Sequence, residues 1–91
     1  MNKTELIEKL ASDLDVSKAL ASQFLASFQT IITDELAEDR SVAIIGFGTF
    51  SPKHRDARTG RNPSTGKEMQ LAASRTPSFK AGKTFKDAVA L

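Results

Sequence analysis

Residues 53 to 67 read KHRDARTGRNPSTGK, and this stretch is the most informative part of the sequence. Arginines recur every third residue at positions 55, 58 and 61, and Pro63 lies close to the glycines near its end. The stretch holds five cations against one anion and lacks a large apolar side chain. Because so polar a segment cannot be buried, we expect it to be exposed and to meet a polyanionic partner.

The charge of the chain is divided between its two halves. Residues 1–45 carry four cations and eight anions, whereas residues 46–91 carry nine cations and three anions. The overall charge of +2 conceals this division. We therefore expect an anionic ligand to bind the second half of a single small domain of 91 residues.

Several classes of protein are excluded by the composition. The absence of cysteine removes disulfides and thiolate metal sites. The polar first residues do not resemble a signal peptide and no apolar run could span a bilayer, so a cytoplasmic location without membrane contact is predicted. The stretch from Gly60 to Lys67 has five residues between its glycines where a phosphate-binding loop needs four. We predict no enzymatic activity, cofactor, metal or small-molecule substrate, and interpret His54 as a solvated strand residue.

Two helices are predicted in the first half. Asn2 is a candidate cap for a helix over about 3–14, with Glu5 three residues later. Ser17 is a candidate cap for a longer helix. The apolar stripe of that second helix is wider than one short neighbouring helix could cover. It consists of Leu20, Phe24, Leu25, Phe28, Ile31, Ile32 and Leu36.

The second half predicts a sheet and a terminal helix. Residues 42–45 are expected to form a buried strand, and a second strand opens at 47–50. That strand should continue through the basic stretch, turn within 60–66 and return over about 67–79. The predicted fold is α+β, with a helical hairpin at about 1–40, a three-stranded antiparallel sheet with a long protruding β-arm at about 41–80, and a short C-terminal helix at about 83–91.

The length of the hairpin indicates that it protrudes. A strand from Phe50 to Pro63 extends roughly 40 Å at ~3.3 Å per residue. A compact chain of this size has a radius of gyration of only ~12 Å. The hairpin should therefore extend beyond the body as an arm.

A body without the arm has roughly 65 residues, a size at which a monomer is marginally stable. We predict an obligate homodimer in which a second copy covers the apolar residues that one chain leaves open. The expected interface residues are Phe28, Ile32, Phe47, Phe50 and Phe79. The alternative is that all six phenylalanines fill a monomeric core.

Motifs along the whole chain resemble one family. They are GFGTF at 46–50, the arginines with GRNP at 60–63, TG at 65–66, Phe79, GK at 82–83 and KDAV at 86–89. The chain resembles the HU/IHF family of bacterial histone-like DNA-bending proteins. The resemblance implies an intertwined dimer whose two β-arms embrace a DNA duplex.

The resemblance also assigns roles to residues. Pro63 matches the tip proline that inserts between base pairs, and Arg55, Arg58, Arg61 and Asn62 match arm residues along the minor groove. A proline ring suits a wedge because it is compact, apolar and lacks an N–H. The remaining candidate DNA contacts are Lys3, Gly46, Gly48, Lys53, Lys67, Arg75, Lys80, Lys83 and Lys86. Gly46 and Gly48 either let the backbone approach phosphate or permit a tight turn.

Pro52 departs from the family pattern, which usually has at that position a residue able to donate a ladder hydrogen bond. Proline within a strand indicates an edge position or a bulge. Either would lie at the base of the predicted arm.

The sequence thus predicts an architectural protein of the nucleoid that binds duplex DNA through the minor groove with low sequence specificity and bends it. Two alternatives remain. One is a sequence-specific host factor of the IHF type, and the other is a protein-interaction module whose basic arm holds an acidic partner. Bend angle, the preferred DNA structure, RNA binding and pairing with a paralogue are not determined by the sequence.

Overall fold

The computed structural model describes residues 1–61 and 66–91, and at 58, 59, 61 and 68–71 it describes the backbone alone. The helices are α1 (Lys3–Leu14), α2 (Lys18–Ala37) and α3 (Lys83–Val89). The strands are β1 (Val42–Ile44), β2 (Gly48–Arg55), β3 (Arg58–Arg61), β4 (Glu68–Leu71) and β5 (Ser74–Ala81). The chain forms two compact units, Met1–Asp34 and Glu35–Leu91. None of the helices in the described ranges has the length and apolar character needed to cross a membrane.

Both predicted helix caps are confirmed. The Glu5 N–H donates to Asn2 Oδ1 at 2.9 Å, and the Leu20 N–H donates to Ser17 Oγ at 3.1 Å. Each bond satisfies one of the backbone donors that the first turn of a helix leaves unpaired. The first two helices therefore begin where the sequence predicted.

An aspartate in the left-handed conformation follows the last turn of both α1 and α2. Asp15 has φ 54° and Asp39 has φ 63°. At the end of α2, the Asp39 N–H donates to the Leu36 carbonyl and the Arg40 N–H donates to the Glu35 carbonyl. This is the Schellman arrangement, in which glycine is usual and aspartate is tolerated.

The strands β1, β2 and β5 form an antiparallel sheet in that order. In the turn between β1 and β2, the Phe47 N–H donates to the Ile44 carbonyl at 3.0 Å. Gly46 has φ 85° at the third residue of this turn, as a type II turn requires. The strand predicted at 42–45 is present as β1, but the prediction that it is buried was wrong. Val42 and Ile44 are half-buried on one face of β1, whereas Ala43 is exposed on the other face and Ile45 is fully exposed in the turn. An antiparallel sheet that is covered on one face leaves alternate side chains open to solvent.

The strands of the predicted hairpin are present and paired, but each is interrupted, and residues 62–65 of the predicted turn lie outside the described residues. Residues 56–57 separate β2 from β3, and 72–73 separate β4 from β5. Arg55 pairs with Ser74 before the interruption and Arg58 pairs with Leu71 after it. Because the two sides skip equal numbers of residues, the register is kept without a bulge. The interruptions consist of Asp56, Ala57, Ala72 and Ala73. Aspartate and alanine are weak strand formers, which accounts for the break.

Four phenylalanines pack together in the second unit. The ring of Phe79 lies 4.7 Å from that of Phe50 and 5.2 Å from that of Phe47, measured between centroids. Phe85 of α3 stacks on Phe47 at 4.8 Å. Helix α3, expected over 83–91, ends at Val89, because Ala90 is already extended. The cluster fixes α3 against the sheet.

Pro52 lies opposite Pro77 in the pairing of β2 with β5. The Gly82 N–H donates to the Phe47 carbonyl at 2.8 Å, and hydrogen-bonded pairs alternate along an antiparallel ladder. Phe47 and Gly82 thus form a hydrogen-bonded pair, and Pro52 and Pro77, five positions further along the ladder, form a non-hydrogen-bonded pair. The nitrogens of both prolines point away from the opposite strand, so no hydrogen bond between β2 and β5 is lost. Strand β1 pairs with β2 only as far as Phe50. The predicted edge position of Pro52 is thus confirmed, and the sheet continues beyond it with two strands.

Candidate nucleic-acid interface

Strand alternation gives the ribbon of β2 and β5 two different faces. On one face, which we term the cationic face, every cation lies directly opposite a hydroxyl side chain. The pairs are Thr49 with Lys80, Lys53 with Thr76 and Arg55 with Ser74, and Ser51 lies opposite Ser78. The other face carries Phe50, Pro52 and His54 from β2 and Arg75, Pro77 and Phe79 from β5.

The cationic face is suited to phosphate. Lysine, arginine, serine and threonine side chains are among the groups that donate hydrogen bonds to DNA phosphates. Lys53, Arg55 and Lys80 are exposed. The ion pairs of the described side chains join Lys18 to Glu8, Arg40 to Glu35 and His54 to Asp39, so none of them neutralises a cation of this face.

The remaining predicted contacts lie in several parts of the chain. Lys83 and Lys86 are exposed on α3, and Lys67 is exposed next to Gly66. Lys3 is exposed in the first turn of α1, in the other unit. Arg58 and Arg61 have their backbone in β3, whereas Asn62 and Pro63 lie outside the described residues. The structure therefore groups three of the predicted cations on the cationic face.

Arg75 does not share that face with the other predicted cations. Its guanidinium Nη1 donates to the carbonyl of Ala37, the last residue of α2. Lys53, Arg55 and Lys80 lie on the opposite face of the ribbon. The residues next to Arg75 in the sequence do not indicate a contact with a helix end, so this contact was not predicted.

His54 also has a partner that the sequence interpretation missed. It is a strand residue and 55% exposed, as predicted, and its Nε2 also lies 2.6 Å from Asp39 Oδ1. The pairing register places His54 directly opposite Arg75. That register, together with a helix ending near residue 37, was the signal that could have indicated the contact.

The two glycines of the GFG motif serve different purposes. A Cβ on Gly46 would meet no atom within 4 Å, and the positive φ explains the glycine there. A Cβ on the buried Gly48 would lie 2.5 Å from Phe79 Cζ and 2.6 Å from the Lys80 carbonyl oxygen. Gly46 therefore serves the turn, and Gly48 allows β5 and Phe79 to approach β2.

An ion pair lies beside the end of α2. Arg40 Nε donates to Glu35 Oε2 at 2.8 Å and its Nη2 donates to Oε1 at 3.1 Å. The side-chain hydrogen bond with Arg40 lowers the pKa of the Glu35 carboxyl below its ordinary value of 4.5. The pair therefore contributes to stability at neutral pH, and its contribution is lost as the pH falls through the lowered pKa.

The chain is similar to known proteins in both sequence and structure. Residues 1–90 match a family described as bacterial DNA-binding protein. The chain is 55% identical to DNA-binding protein HU-beta of Salmonella typhimurium over 89 residues, covering 98% of this chain and 99% of the relative. It is 54% identical, with the same coverage, to HU-beta of Escherichia coli K12. An Anabaena HU–DNA cocrystal structure superposes with a TM-score of 0.88 at 39% identity, covering 99% of this chain and 98% of that one.

Proposed function

Because the chain belongs to the HU/IHF family of bacterial DNA-binding proteins, we propose that it is an architectural protein of the nucleoid that binds duplex DNA and bends it. Binding is through the minor groove with low sequence specificity, since that groove offers a degenerate pattern of donors and acceptors. The proposal includes no catalytic step, cofactor or small-molecule substrate.

The observation that carries the proposal is the cationic face. Its lysines and arginine are exposed and opposed by hydroxyls, a combination that binds phosphate without reading bases. The Anabaena relative, whose structure with DNA matches this chain over 99% of its length, supports DNA as the polyanion. The face leads along the ribbon towards β3, where Arg58 and Arg61 continue the basic stretch.

Bending is assigned to Pro63 as an inserted wedge, a role that follows from the family. Unstacking one base step costs a few kcal/mol, and a bent duplex recovers that cost through further cationic contacts. We expect Pro63→Ala to reduce bending more than it reduces affinity. Energy transfer between dyes at the two duplex ends reports bending, and anisotropy reports affinity in the same samples.

The matched control is Pro77→Ala, a second proline of the ribbon that lies opposite Pro52. It should leave the energy transfer at saturation close to that of the unchanged protein. Pro63 is not the wedge if Pro63→Ala binds and bends as the unchanged protein does.

The proposed DNA-binding unit is a homodimer. Within the described residues, the buried apolar side chains of one chain are Ala11, Ala21 and Leu36. Phe24 and Ile31 of α2 are 52% and 57% exposed, and Phe47 and Phe79 are each 39% exposed. Of the other predicted interface residues, Phe28, Ile32 and Phe50 are half-buried. So small a core supports a second copy of the chain as the cover for these side chains.

We expect sedimentation equilibrium at micromolar concentration to give a mass of twice 9.8 kDa. The urea midpoint should rise with protein concentration, because unfolding then includes dissociation. A folded species of 9.8 kDa whose midpoint is independent of concentration would contradict the dimer.

A further inference from the structure

We infer that Arg75, His54 and Asp39 are positioning residues that fix the two-stranded ribbon to the carboxyl end of α2, and that Arg75 acts in this way rather than as a phosphate contact. The consequence of this inference is that the cluster sets the direction of the arm on DNA, and that consequence rests on the proposed function. We term Ala37, Asp39, His54 and Arg75 the helix-end cluster. All four belong to the unit Glu35–Leu91.

The first contact satisfies a carbonyl that the helix itself leaves open. At the end of α2, backbone N–H groups of residues 38–40 donate to the carbonyls of Glu35 and Leu36. The next carbonyl, that of Ala37, accepts from the Arg75 guanidinium. A cation suits this position because the last carbonyls form the negative end of the helix dipole.

The second contact lies two residues further along the chain from Ala37. Asp39 holds the left-handed position that ends α2, and its carboxylate lies 2.6 Å from His54 Nε2. Asp39 Oδ1 can accept a hydrogen bond from an Nε2–H, and the bond becomes an ion pair when the imidazole is protonated. His54 belongs to β2 and Arg75 to β5.

Two contacts from opposite strands restrain the ribbon more than one contact would. His54 and Arg75 are cross-strand partners with side chains on the same face, and they reach a segment of three residues. A single contact would restrain only one of the two strands. Two contacts, one on each strand, fix its twist and direction at that point.

The cluster lies where the sheet has lost its third strand. Pairing with β1 ends at Phe50, and Pro52 cannot donate the bond that would extend it. The interruptions at 56–57 and 72–73 follow immediately after the cluster. The helix-end cluster thus supports the ribbon between the end of the three-stranded sheet and strand β3, which carries Arg58 and Arg61.

The test uses Arg75→Met, which keeps length but removes the charge and the donors, and Asp39→Gly, which keeps a residue suited to the left-handed position. The matched control is Lys53→Met, on the cationic face of the same ribbon. In the DNA-free protein, we expect amide exchange of Lys53, Arg55 and Thr76 to be about tenfold faster in Arg75→Met and Asp39→Gly, in line with the loss of one hydrogen bond. Lys53→Met should leave the exchange of Arg55 and Thr76 unchanged.

Measurements of DNA binding then distinguish a positioning residue from a residue that contacts phosphate. Lys53→Met should reduce the steepness of the salt slope, d log K/d log [salt], by about 0.9 per protomer. Arg75→Met and Asp39→Gly should leave the slope unchanged and reduce the energy transfer. Asp39→Gly is the more informative variant. The loss of an anion would by itself strengthen binding to DNA, so reduced bending in this variant cannot be an effect of charge alone.

The inference is overturned if Arg75→Met reduces the steepness of the slope as Lys53→Met does and leaves bending unchanged, or if neither cluster variant changes amide exchange. If the unchanged protein does not bend DNA, the proposed function fails. Amide exchange in the free protein still tests the cluster in that case.

Discussion

The affinity of the protein for a random-sequence duplex is expected to fall ~10³ to 10⁵ fold between 50 and 200 mM salt, provided the dimer neutralises about 6 to 10 phosphates. The physical reason is the release of counterions from DNA when Lys53, Arg55 and the other cations of residues 46–91 approach the backbone. That half carries nine cations against three anions, so each protomer has enough charge for such a footprint. Fluorescence anisotropy across a salt series measures the slope.

A cation of the acidic half provides the control. Lys9 is exposed on α1, and Lys9→Met changes the net charge by as much as Lys53→Met does. It should leave the slope unchanged, because the effect depends on phosphates contacted and not on overall charge. A nearly flat salt dependence for the unchanged protein would refute the electrostatic account of binding.

Gly48→Ala is expected to lower the free energy of unfolding by about 1–3 kcal/mol, as overpacking of a filled site does. The added Cβ would lie 2.6 Å from the Lys80 carbonyl oxygen, which is backbone and cannot rotate away. The ring of Phe79, at 2.5 Å, would also have to move, and with it the phenylalanine cluster. Urea unfolding at fixed protein concentration measures the loss.

The neighbouring glycine distinguishes packing from backbone conformation. Gly46→Asn places a side chain in open space at a φ that asparagine tolerates, so it should cost less than Gly48→Ala. If Gly48 instead serves to let the backbone approach phosphate, Gly48→Ala would keep its stability and lose affinity for DNA. That result would contradict the packing account.

The elements predicted best were those with local signals. Asn2 and Ser17 cap their helices as predicted, because a cap is decided within four residues. The hairpin followed from strand composition and from the turn residues, and Pro52 indicated the edge position at which β1 ceases to pair. The exposed cations on the cationic face follow from period-2 alternation once the strand is identified.

The features that were missed depend on partners distant in sequence. Ala37 and Arg75 are far apart in the chain, and their contact requires both the hairpin register and the end of α2. The break at 56–57 depends on Asp56 and Ala57 meeting alanines on the opposite strand. Strand β1 was predicted to be buried from its β-branched residues alone, but burial depends on which face of the sheet is covered.

The most direct test of the central claim measures binding and energy transfer together on two end-labelled duplexes of unrelated sequence. The account predicts that both duplexes bend on binding and that their affinities differ by far less than the roughly 10³ fold that marks specific recognition. Saturated binding without any approach of the duplex ends, or a preference of 10³ fold or more for one sequence, would contradict it.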